Sequence, residues 1–210
     1  MHTEQLGEGL FRLLVPFEDL NTTVYVVQGE EGVAIIDTAT YSEDVDTYIL
    51  PALETLGIDR ADVRYLLLTH DHGDHAGGLE RLRTWLPDAT VGASFSIDAP
   101  RFLPLAEGTC LLGRIRVVEL AGHTKNSVGF FDTPTRTLLS GDCLQLGGVG
   151  KYRDGISYPS LYRASVERLR GMEIERIVAA HEYAPLGSVA EGREAVASYL
   201  DACLSFLKTD

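Results

Sequence analysis

The chain has 210 residues, enough for one sizeable hydrophobic core, and 45% of them are hydrophobic. A formal net charge of −13 argues against a nucleic-acid backbone as the main partner, because phosphate recognition needs a basic surface; a small anionic substrate beside a locally positive metal site stays compatible with it. No apolar run approaches the ~20 residues of a membrane helix, no basic-then-apolar signal pattern surrounds Glu4 and Glu8, and three scattered cysteines, Cys110, Cys143 and Cys203, imply no disulfide framework, so a soluble cytoplasmic protein of one domain, residues 1–210, is expected.

In chain order, Leu10 to Val15 and Thr22 to Val27 read as strands around Pro16. Val33 to Ile36 is a third, joined to the second by the Gly29–Gly32 turn and ending at Asp37. Ser42 can cap a helix running to about Leu56, which Pro51 should kink or divide and Gly57 should end. Val63 to Thr69 is an apolar run of buried-strand type, and Leu79 to Leu86 is a short helix. Thr90 to Ala93 is a short strand, followed by a less regular stretch from Phe95 to Gly108. Leu111 to Leu120 suggests a hairpin, and Val128 to Asp132 pairs with Thr137 to Ser140. Ser160 to Arg170 is a helix with Tyr162, Val166 and Leu169 on one face. Ile177 to Ala180 is a strand, and Ser188 with Glu191 has the spacing of a capping box before a last helix that ends near Leu207. Val196, Tyr199, Leu200, Cys203 and Leu207 form one apolar stripe on that helix, expected to face the core. The strands and helices fall into two similar halves that meet near Gly108; pattern alone gives an α/β protein.

The densest chemistry follows the Val63–Thr69 strand. His70, Asp71, His72, Asp74 and His75 occur within six positions, and Gly73, Gly77 and Gly78 let the chain turn and a helix begin close by. On extended chain, His70 and His72 can point to one side. Imidazoles and carboxylates converging at a strand end are a metal site in prospect. His123, Asp142 and His181 each follow a predicted strand in the same way, and of the six histidines only His2 lies outside this set.

HxHxDH after an apolar strand resembles the metallo-β-lactamase-fold hydrolases. The resemblance implies an αββα sandwich of two mixed β-sheets flanked by helices, with metals at one edge. It matches His70, His72 and His123 to the ligands of one metal, Asp74, His75 and His181 to those of a second, and Asp142 to the carboxylate that bridges both. It implies that Asp37 stands behind the ligand loop and orients it; a plain polar strand end is the other reading of Asp37. Two divalent metals, zinc above all but also iron or manganese, would hold a hydroxide between them and polarise a substrate carbonyl. Asp74 could also orient that hydroxide or protonate the leaving group. After His123 the chain reads Thr124-Lys125-Asn126-Ser127 where relatives often read Thr-Pro-Gly-Ser, a change in the turn and not in the ligand.

Gly141 to Tyr152 resembles the segment after the bridging aspartate in glyoxalase II enzymes, the hydroxyacylglutathione hydrolases, and His181-Glu182-Tyr183 is similar to theirs. The resemblance implies that Lys151 binds the glutathione part of a thioester. Arg153 stands where those enzymes carry a tyrosine, and could bind a carboxylate. A solvated loop explains Lys151 and Arg153 equally well. The larger helical C-terminal domain of those enzymes is not expected after His181, where the pattern reads one helix. The expected activity is hydrolysis of a small thioester, ester or lactone, with no nucleic-acid or membrane partner; the alternatives are a mononuclear-iron persulfide dioxygenase and a metal binder without catalysis.

Overall fold

The computed structural model describes residues 2–144, 155–182 and 187–207. Its contacts divide the chain into two compact units, residues 1–105 with 110–114, and residues 106–109 with 115–210. The division falls where the two halves of the sequence pattern meet.

The first unit contains a seven-stranded mixed sheet in the order β1 to β7: His2–Gly7, Leu10–Phe17, Leu20–Gly29, Gly32–Ile36, Val63–Leu67, Thr90–Ala93 and Phe102–Pro104. β1 to β4 are antiparallel neighbours, while β4, β5, β6 and β7 run parallel. Parallel neighbours need crossovers, and those from β4 to β5 and from β5 to β6 contain helices. The first is α1 (Ser42–Asp44), a π-helical turn at Val45–Ile49, then α2 (Leu50–Thr55). Pro51 divides this helix as expected, since proline offers no N–H to the preceding turn and the ladder widens there, with Leu50 N–H reaching the Val45 carbonyl. Its cap differs from expectation. Ser42 lies inside the helix, and the side chain of Asp44 reaches back to the Thr40 and Tyr41 N–H groups at 3.2 and 2.9 Å. A carboxylate accepts two donors at the positive helix end, which a single hydroxyl cannot do as strongly.

After β5 come α3 (Gly73–Ala76), a turn of helix not foreseen from the sequence, and α4 (Leu79–Trp85). Both are too short to persist alone in water. Burial holds them: Leu79 and Leu82 join Ile49, Leu53, Val24, Val26, Ile35 and Leu66 in one core, each such side chain contributing about 1.5–3 kcal/mol. β8 (Cys110–Leu111) ends this unit.

In the second unit the strand order is β13-β12-β11-β10-β9, with β9 Ile115–Glu119, β10 Val128–Asp132, β11 Thr137–Gly141, β12 Arg176–Ala179 and β13 Val189–Glu191. Only β11 and β12 are parallel, so their ends lie side by side. Between them in sequence is α5 (Pro159–Leu169), and α6 (Arg193–Phe206) closes the described chain. The expected stripe on α6 is core: Val196, Tyr199, Leu200 and Cys203 are buried with Tyr162, Val166 and Leu169 of α5 and Leu138 and Ile177 of the sheet. The capping-box reading of Ser188 and Glu191 is corrected. Val189 to Glu191 pair with β12, Glu191 forms an ion pair with Arg176, and Gly192 at φ +89° makes the turn into the helix. Among the described residues no helix is long and apolar enough to cross a membrane.

Candidate metal centre

In the first unit the parallel strands β4 and β5 end together, at Asp37 and Thr69. Asp37 is fully buried, with backbone φ +61°, a left-handed conformation that a non-glycine residue adopts at a cost. Its carboxylate explains why that strain is tolerated. Oδ1 accepts the Thr69 N–H at 2.8 Å, Oδ2 accepts the Thr69 hydroxyl at 2.9 Å, and Oδ2 also meets Nδ1 of His75 at 2.8 Å. Nδ1 of His70 lies 3.0 Å from the same Thr69 hydroxyl.

These contacts fix the histidine tautomers. An ionised carboxylate only accepts hydrogen bonds, so Nδ1 of His75 carries the proton. The Thr69 hydroxyl spends its one hydrogen on Asp37, so it accepts from Nδ1–H of His70. In both rings Nε2 is then the unprotonated nitrogen, the form a metal requires. Asp37 thus stands behind the His70–His75 loop, touching His75 directly and His70 through Thr69.

Backbone bonds hold the rest of the loop. Thr38 donates both its N–H and its hydroxyl to the His75 carbonyl, at 2.7 and 2.9 Å, and Thr22 donates to the Asp74 carbonyl at 3.0 Å. A Cβ on Gly77 would come within 1.9 Å of the Thr40 carbonyl oxygen, and one on Gly78 within 2.2 Å of the Thr38 oxygen. Only glycine allows the helix start to lie that close to the Asp37–Thr40 segment. His70 and His75 are buried with ring centroids 4.3 Å apart, and the exposed His72 stands edge-on to His70 at 4.6 Å. Asp74 lies 3.5 Å from Nε2 of His75 and keeps 17% of its side chain exposed.

In the second unit three further residues converge, each just after a strand, as the sequence pattern places them. β9 leads through Gly122 to His123, β11 to Asp142, and β12 to His181. All three are at least 94% buried. The Asp142 carboxylate stands between the two rings, Oδ2 3.6 Å from Nε2 of His123 and Oδ1 3.3 Å from Nε2 of His181. A register irregularity between Leu139 and Gly141, with Gly141 at φ +54°, turns the chain at this point. His123 Nδ1 contacts the Gly155 carbonyl, so this ring too carries its proton on Nδ1 and presents a bare Nε2. Helix α5 braces the same loop. A Cβ on Gly122 would sit 2.6 Å from the Tyr162 backbone, and Ser165 donates to the Ala121 carbonyl at 2.8 Å.

Each unit therefore presents histidine and aspartate side chains, residue types that bind metals. The donors are nitrogen and oxygen, a set that suits zinc, iron and manganese alike. Cys143, next to Asp142, is buried among the side chains of the second core. Lys151, Arg153 and Tyr183 lie outside the described residues.

Comparison with known proteins gives the following. Residues 18–94 match the model of the metallo-beta-lactamase superfamily. A hydroxyacylglutathione hydrolase of Prochlorococcus marinus (strain MIT 9312) is 28% identical over 172 residues, covering 78% of this chain and 65% of the relative. A second, from Pseudomonas putida (strain GB-1), is 35% identical over 124 residues, 56% of this chain and 47% of the relative. The chain thus spans between about half and two thirds of the curated relatives it matches. Among solved structures, a metallo-beta-lactamase from Pontibacter korlensis aligns with TM-score 0.76 at 20% identity, covering 100% of this chain and 99% of that one. A rubredoxin oxygen:oxidoreductase from Desulfovibrio gigas aligns with TM-score 0.70 at 17% identity, covering 100% of this chain and 62% of that one. At such identities the structural likeness shows the fold alone, and proteins of different chemistry share it.

Proposed function

We propose that this chain, which has the metallo-β-lactamase fold and is similar to glyoxalase II enzymes, is a cytoplasmic binuclear metal-dependent hydrolase of small thioesters, esters or lactones, its two units acting as one domain. The fold itself and the likeness to those hydrolases are findings; the metal count, the substrate class and the residue roles are the proposal. By the resemblance, His70, His72 and His123 would hold one metal, Asp74, His75 and His181 the other, and Asp142 would serve both. The observation that carries this reading is what faces Nδ1 in three rings. In His70, His75 and His123 it is an oxygen, which assigns the proton to Nδ1 and makes Nε2 the unprotonated nitrogen, the form a metal takes.

Bound there, divalent metals would lower the pKa of water toward ~7 and polarise the acyl oxygen of the substrate. The residues do the remaining work. Asp142 stands between His123 and His181, where its carboxylate would offset the repulsion of two cations. Asp74 is a partly exposed carboxylate among the ligand candidates of the first unit, so it can exchange protons with solvent. It orients the attacking water and returns a proton to the leaving thiol or alcohol. Lys151 and Arg153 bind an anionic part of the substrate, such as the carboxylates of a glutathione thioester.

The test is turnover by metal-loaded protein with a glutathione thioester, a neutral aryl ester and a lactone, beside the Asp142→Ala variant. Hydrolysis of at least one, lost in Asp142→Ala while the variant stays folded, is expected. Full activity in Asp142→Ala would refute the shared-ligand role. Consumption of oxygen with a glutathione persulfide, at one iron per chain and with no hydrolysis, would move the chain to the dioxygenase reading.

A further inference from the structure

Asp142 sits in a short turn that begins as β11 ends. The turn closes through the Cys143 N–H, which donates to the Ser140 carbonyl at 3.2 Å. On its upstream side the Gly141 carbonyl accepts the Ala180 N–H at 3.1 Å, from the residue just before His181. On its downstream side the Leu144 carbonyl accepts the Tyr199 hydroxyl at 3.0 Å. The first two bonds come from the strands themselves and from the chain beyond them. The third comes from the middle of α6, far along the sequence.

Tyr199 is suited to hold a carbonyl in place. It is 94% buried, so a bond to it is not exchanged for one to water. Burial pushes its hydroxyl pKa upward, and the nearby Cys203 adds to the shift, so the group keeps its proton and remains a donor at any working pH. One turn further along α6, Cys203 is in hydrogen-bonding contact with the Tyr162 hydroxyl. Tyr162 in turn lies against Gly122, beside His123. The α5–α6 pair thus meets the chain next to two of the ligand candidates, through one tyrosine each.

We propose that Tyr199 is a positioning residue for the metal centre: its bond to Leu144 fixes the turn that aims the Asp142 carboxylate between His123 and His181. The proposal rests on the reading of Asp142 as a shared metal ligand. Deleting the hydroxyl leaves α6 in place and frees the downstream end of the turn. The carboxylate then samples orientations that face only one ring, and metal affinity falls although no ligand is lost.

Tyr199→Phe tests this, with Val196→Ala as the comparison. Val196 is buried on the same helix, and its aliphatic side chain can make no hydrogen bond to the turn. Affinity for Zn2+ is measured by competition with a chromogenic chelator. Exchange of the Cys143 amide is measured separately on metal-free protein. In Tyr199→Phe, Zn2+ affinity should fall about tenfold, and the Cys143 amide should exchange at least several-fold faster, with the melting transition still cooperative. Val196→Ala should lower the melting temperature as much or more and change neither readout. Unchanged amide exchange in Tyr199→Phe overturns the proposal whether or not metal binds. Equal losses in the two variants overturn it as well, since the effect would then be general loosening of the helix. Failure of the wild-type chain to bind Zn2+, with amide exchange responding as expected, would instead remove the metal reading while leaving the turn-holding role intact.

Discussion

The two units offer the same kind of donor but are built differently. In the first unit the ligand candidates come from one contiguous run, His70 to His75, and a single buried charge, Asp37, stands behind two of the histidines. In the second unit they come from three strand ends spread between His123 and His181, and the supports are neutral: the Gly155 carbonyl, the Ser165 and Tyr199 hydroxyls and main-chain bonds. The contrast teaches that one geometry can be held by a concentrated ionic post or by dispersed neutral ties. The costs of breaking them differ accordingly.

The largest expected effect lies in the first unit. Asp37→Ala leaves the His75 Nδ1–H, the Thr69 N–H and the Thr69 hydroxyl buried without their acceptor. Removing one partner of such a buried charged network costs about 3–5 kcal/mol. Ser165→Ala in the second unit removes one neutral hydrogen bond, worth about 1 kcal/mol. Urea unfolding of the two variants measures the contrast. Equal losses would show that the ionic post is no stronger than a neutral tie.

Asp37→Asn sharpens the comparison at smaller cost in stability. The amide can turn its oxygen to Thr69, but its NH2 group then faces Nδ1 of His75 and forces the proton onto Nε2. Zn2+ affinity should fall by about 10–100-fold, as for other losses behind a ligand. Chelator competition measures it, and wild-type affinity in Asp37→Asn would show that the tautomer is not set by this carboxylate.

The smallest effect belongs to the second unit and to alkaline pH. Burial raises the Cys203 thiol from an ordinary 9.0 to about 12. A raised folded value favours the protonated thiol, so its contribution to stability is complete below pH 9 and fades as pH rises toward 12. Between pH 9 and 11, Cys203→Ala should therefore lose less stability than the wild-type chain. Parallel loss would mean that this thiol is ionised as easily folded as unfolded.

The same contrast governs what the sequence reveals. His70 to His75 were legible because spacing within one run is visible without a fold. His123, Asp142 and His181 could be picked out because each follows an apolar strand, yet their grouping came from resemblance, since no local pattern joins residues so far apart. The strands from Leu10 to Ile36 were legible from their hairpin turn, and α5 and α6 from their apolar stripes. β1 and β7 were not, because edge strands carry little periodic signal. At β13 the spacing of Ser188 and Glu191 predicts a helix cap, and pairing with β12 prevails over that local preference. The positive φ of Asp37 and the reach of Tyr199 to Leu144 were invisible, since both exist only once distant segments meet.

The central claim, that the two units act together on two metals, is tested most directly by counting metal. Elemental analysis of the purified chain, after metal-free preparation and dialysis against excess Zn2+, should find close to two equivalents per chain. His75→Ala should lower that number toward one while the chain stays folded. One equivalent or fewer in the wild-type chain under the same conditions would contradict the account.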